Sequence, residues 1–175
     1  MLDLNDLGNG FHPAISPTFG MALAEAGGVC LESQGHDVGV QLQVRGFLKS
    51  IFNLNWPPIN EQSRRTWSDP EVATEHGAMG IAVLLAKKAT GYAVIQRSRK
   101  GTGFDYWVGD ISTEPFQDKA RLEISGIRKG TDGDVRSRVR QKLKQTTRSA
   151  SALPAFAIVV EFSKPLAEVQ ENERS

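Results

Sequence analysis

The segment Phe156-Ala157-Ile158-Val159-Val160-Glu161-Phe162 is apolar almost throughout. Successive side chains of a strand point to opposite faces of its sheet. A run apolar on both alternations therefore reads as a strand buried on both faces, as in a sheet layered between helices. The length of 175 residues suits one domain with an extension at one end. Hydrophobic residues at 39% and charged residues at 23% can build a core without disulfides or a structural metal. Cys30 is the only cysteine, so it reads as a small core residue rather than a reactive thiol. The chain has no apolar run near the ~20 residues of a membrane span. Its acidic start, Met1 to Asp6, lacks a basic-then-apolar leader. A cytoplasmic protein without a membrane partner is expected. The net charge of +1 means that any electrostatic footprint must be local.

Ser16-Pro17 opens a short helix through Met21 and Leu23, ended by Gly27-Gly28. Val29 to Leu31 and Val38 to Val44 then read as strands, the second by its alternation. Phe47 to Trp56 is apolar but irregular, and Asn60 to Thr66 reads as a linker. Ser68-Asp69-Pro70-Glu71 is a helix start, with Ser68 as cap and Glu71 completing a capping box. That helix is expected to run to about Lys88 and, being apolar on most sides, to be largely buried. Tyr92 to Arg97, Phe104 to Val108 and Arg121 to Ile127 read as three strands. Asp132 and Asp134 favour a helix start, and the spacing of Val135, Val139 and Leu143 carries that helix to about Arg148. The tail after Pro165 is polar and reads as frayed.

Three acids stand out. Asp105 and Glu123 lie among apolar neighbours on adjacent expected strands, and Glu75 lies in the preceding helix. Acids in such places are costly unless paired or bound to a cation. If the strands pair, both strand carboxylates can reach one point. Three gathered carboxylates would repel, and a divalent cation relieves that. Hard oxygen donors suit magnesium or manganese.

The order helix, three strands, helix, strand, with an acid in the first helix, the second strand and the third strand, resembles the PD-(D/E)XK, or restriction-endonuclease-like, nuclease superfamily. The resemblance covers about Ser68 to Pro165. It implies an α/β fold with a mixed sheet flanked by helices over residues 67–165. An α/β extension would precede it at 1–66 and a polar tail would follow at 166–175. In that family the three acids bind one or two metal ions, here Glu75, Asp105 and Glu123, with Mg or Mn as cofactor. The lysine of the family's E-x-K triplet orients or activates the attacking water. Here no proline precedes Asp105, and the triplet is Glu123-Ile124-Ser125, so that lysine is absent. Lys142 on the following helix is the replacement expected, with Lys100 the other candidate; the catalytic set is then Asp105, Glu123 and Lys142.

DNA or RNA needs phosphate contacts beyond the centre. Arg99 and Lys100 in the glycine-rich turn, Arg128 and Lys129, and Arg138, Lys142 and Gln145 at helical spacing are the candidates. The other expectation is a catalytically inactive nuclease fold that binds nucleic acid or protein. A third is a domain whose acids are neutralised by Arg121 or Arg97. The histidines His12, His36 and His76 lack zinc-like spacing, and His76 reads as structural. The N-terminal region carries no legible motif; it adds strands to a sheet edge, mediates a homodimer or selects substrate.

Overall fold

The computed structural model describes residues 1–149 and 152–172. It is an α/β fold built on a mixed sheet. The strands are β1 (Leu2–Asp3), β2 (Val40–Gly46), β3 (Ser50–Asn55), β4 (Ala93–Arg97), β5 (Tyr106–Asp110), β6 (Gln117–Ile127), β7 (Ala155–Glu161) and β8 (Leu166–Asn172). The helices are α1 (Pro17–Ser33), α2 (Glu61–Thr66), α3 (Pro70–Thr90) and α4 (Asp132–Thr146). The sheet order is β1-β3-β2-β8-β7-β6-β5-β4. β4, β5 and β6 run antiparallel to one another, and β6 pairs β7 in parallel.

Alternation along β7 sorts the two layers. Phe156, Ile158 and Val160 face a large core that includes Ile81, Leu85 and Leu23 of α3 and α1. Val159 faces a smaller one made with Val135 and Val139 of α4. The seven residues of β7 are all buried, as the apolar run requires. The sheet is thus covered by α1 and α3 on one face and by α4 on the other. Among the described residues no helix is long and apolar enough to cross a membrane.

Several local expectations are corrected. α1 does not stop at Gly27-Gly28 but runs to Ser33, so Val29 to Leu31 is helix, not strand. Those glycines are there for packing. A Cβ at Gly28 would lie 2.6 Å from the Trp56 ring, and one at Gly27 would lie 2.8 Å from Leu4. Phe47 to Trp56 contains β3, and Asn60 caps a short helix α2 where a linker was expected. The cap of α3 is Asp69, not Ser68; its carboxylate accepts from the Glu71 and Val72 amides.

The largest correction is the tail. Residues 166–172 form β8, which lies inside the sheet between β2 and β7. Leu166, Ala167 and Val169 are buried there. So is Glu168, which accepts from Arg45 Nε on β2 at 2.8 Å. Its buried charge is offset by a partner far away in sequence. Residues 173–175 lie outside the described residues.

Candidate functional site

β5 begins at Tyr106, opposite Leu122 of β6. Beyond that point the β6 edge has no further β5 pairing, while its other edge stays paired to β7 through Ile127. Asp105 sits at the gap, one residue before β5 rather than within a strand. Its amide donates to the Leu122 carbonyl at 2.8 Å. Its side chain then takes the next ladder position: Oδ2 accepts from the Ile124 amide, also at 2.8 Å. A carboxylate is thereby held against a strand edge by backbone.

Glu123 and Ser125 project from β6 toward α4. They stand two residues apart on a strand, ~6.6 Å. Arg138 and Lys142 stand four apart on a helix, ~6 Å and on one side. The two spacings match. Lys142 Nζ donates to Glu123 Oε1 at 2.6 Å, and Arg138 Nη1 donates to Ser125 Oγ at 2.8 Å. Lys142 also reaches Gln145 Oε1 at 3.4 Å. Lys142 thus reaches Glu123 from α4, and Ser125 holds a guanidinium.

Glu123 is only 2% exposed. Burial first, then the neighbouring Asp105 carboxyl, pushes its pKa up to about 7, while Lys142 opposes the rise. Burial raises Asp105 too, offset in part by the Ile124 amide and by Lys142. The Asp105 carboxyl is thus one of the causes that raise Glu123.

Two cavities adjoin here, of about 550 and 580 Å³, and both have Glu75 and Asp105 in their walls. They form one groove. Arg128, Arg138 and Lys142 line one half; Arg99, Lys100, Gln145 and Arg148 line the other. Lys129 is exposed and lines neither half. Gly126 sets how close α3 comes to this edge: a Cβ there would lie 2.6 Å from the Thr74 carbonyl. Gly103, at φ +84°, lets the turn after β4 press on α4, where a Cβ would lie 2.4 Å from the Gln145 carbonyl.

Glu75 departs from expectation. It is exposed on α3, not buried, and reaches the groove from its rim. Among the described residues no three His, Cys, Asp or Glu side chains are grouped as a metal site. Asp105 and Glu123 come together; Glu75 shares their groove without joining them. A half-buried carboxyl, Asp105, beside a buried one, Glu123, still fits a hard cation, since magnesium is commonly held by one or two carboxylates, with waters and substrate phosphates as its other ligands.

Arg121 does not neutralise Glu123. It is buried, and its guanidinium donates to the carbonyls of Thr146 (2.9 Å) and Leu153 (2.8 Å) and to the Ser149 hydroxyl, tying the end of α4 to β6. Arg97 donates instead to the Tyr106 hydroxyl at 2.8 Å. The histidines serve the fold. His12 Nδ1 accepts from the Val94 amide at 3.0 Å, and burial holds its pKa down to about 4. His36 Nε2 lies 3.0 Å from the Phe162 carbonyl, and His76 Nδ1 lies 2.9 Å from that of Val72. The partnership of Ser125 with Arg138 was not anticipated from sequence. Its signal was the match between i,i+2 on a strand and i,i+4 on a helix.

No family model, curated protein or solved structure matches the chain.

Proposed function

We propose that this protein is a metal-dependent nuclease-like protein that hydrolyses phosphodiester bonds in DNA or RNA, on a divergent PD-(D/E)XK core. The observation that carries the proposal is the placement of Asp105, Glu123 and Lys142 at one open strand edge, inside a groove with basic walls. The element order α3-β4-β5-β6-α4-β7, with three antiparallel strands and a parallel fourth, also supports it.

Asp105 and Glu123 would hold magnesium or manganese, with Glu75 available from the rim. Bound there, the cation would neutralise phosphate charge and lower the pKa of a water. Asp105 is fixed by the Ile124 amide, so its carboxylate is oriented before any ligand arrives. A cation held there would favour the ionised form of Glu123. Lys142 balances the carboxylate charge and presents an ammonium where the family's triplet lysine would act. Arg138, steadied by Ser125, faces the groove as a donor to phosphate oxygens.

Lys142 Nζ occupying Glu123 Oε1 favours a second reading, a nuclease fold that binds nucleic acid without cutting it. Incubating labelled single- and double-stranded DNA and RNA with magnesium or manganese separates the two. Cleavage that disappears in Asp105→Asn and Glu123→Gln, with both variants folded, supports the enzyme. Salt-dependent binding without turnover supports the module.

A further inference from the structure

Behind the groove lies a third cavity of about 330 Å³, between α1, α2 and the start of α3. It shares Pro70 and Arg128 with the half of the groove that holds Lys142. We infer that this cavity takes an unpaired base of a single-stranded nucleic acid whose backbone runs through the groove past Arg128. The inference rests on the nuclease-like reading and names the strandedness of its substrate.

The lining suits a base. Val29, Cys30 and Ala73 supply apolar surface, and Trp67 supplies an aromatic face. The indole is held on two sides: Nε1 donates to Glu25 Oε2 at 3.0 Å, and the ring lies 5.2 Å from that of His76. A fixed aromatic ring loses little freedom when a base stacks on it, and such stacking tolerates any sequence. Burial pushes the Cys30 thiol up to about 11, so that wall stays uncharged.

The charges suit a backbone. Arg128 is exposed and makes no ion pair among the described residues, and it stands where the two cavities meet. The acid in the wall, Glu32, is already engaged by Arg64 at 2.8 Å and by the Trp56 indole at 3.2 Å. In the cavity wall itself two cations, Arg64 and Arg128, face one acid.

The volume decides strandedness. It falls at the lower end of small-molecule sites. A base can enter only when it is out of its stack, which a single strand allows freely and a duplex allows only at the cost of unpairing.

The test is the affinity of the full chain, without added metal, for a labelled oligothymidylate and for a hairpin duplex of similar length. Trp67→Ala should weaken oligothymidylate binding roughly 5- to 150-fold, the equivalent of ~1–3 kcal/mol of lost stacking. Duplex binding should stay unchanged. Trp67→Phe should retain most of the single-strand affinity, which excludes simple unfolding as the cause. Equal losses on both probes, or none on oligothymidylate, would overturn the inference and leave the nuclease reading standing. Failure of the wild type to bind either probe would overturn the inference as well, while the nuclease reading stands or falls on the cleavage assay with metal.

Discussion

Lys142 Nζ donates to Glu123 Oε1 across 2.6 Å, joining α4 to the open edge of β6 although the residues are 19 positions apart. This ammonium is the positive group nearest the paired carboxyls, and what the site can do depends on it.

Lys142→Met should abolish cleavage while costing only on the order of 1–2 kcal/mol near neutral pH. A buried charge stripped of its partner normally costs more. Glu123, raised to about 7 by burial and by Asp105, can take up a proton instead. The penalty should therefore grow with pH, which denaturant unfolding in mildly acidic and in alkaline buffer would read. A penalty independent of pH would contradict the pairing.

Above about pH 6.5 the metal-free protein should lose stability as pH rises. The folded value for Glu123, about 7, lies above its ordinary value of 4.5. Its contribution is therefore complete below about 4.5 and is lost as pH climbs through about 7, a change on the order of 3 kcal/mol. Asp105 shifts in the same direction. His12, held at about 4 against an ordinary 6.5, contributes the opposite slope between those two values, so the net loss assigned to Glu123 shows above about pH 6.5. Glu123→Gln should flatten the slope, and unfolding free energies measured across the range would show it.

Arg121→Met should destabilise the fold by about 3 kcal/mol, because it strips donors from the buried Thr146 carbonyl at the end of α4 and from the Leu153 carbonyl beyond it. It should leave the pH slope assigned to Glu123 in place. Were Arg121 the partner of Glu123, the slope would change with it. Amide exchange in the last turn of α4 should quicken in the same variant.

What could be read in advance follows from the range of the interactions involved. The stretch from Pro70 to Glu161 announces its elements locally, through a proline at a helix start, alternation in β6 and the two-faced apolar run of β7. β8 did not, because Glu168, Gln170 and Glu171 look solvated until Arg45 is seen beside Glu168. Gly27-Gly28 mimicked a helix stop, because a glycine placed for close packing looks the same in sequence as one that ends a helix. In the site, the alternation of the expected strands brought Asp105 and Glu123 together, and Lys142 was expected as the replacement that the family resemblance implies. Alternation also put Arg121 beside Glu123, yet its long side chain serves the end of α4. Glu75 was misjudged because α3 is buried around most but not all of its circumference.

The most direct measurement is thermal unfolding with increasing manganese, on the wild type and on Asp105→Asn, at a pH above the Glu123 value of about 7. A ligand stabilises only the form that holds it, by ~2.7 kcal/mol at a hundredfold excess over its dissociation constant. The account expects the wild-type transition to rise with manganese and the Asp105→Asn transition to stay where it is. A wild type indifferent to the metal, or two proteins stabilised alike, would contradict a cation site built on Asp105 and Glu123.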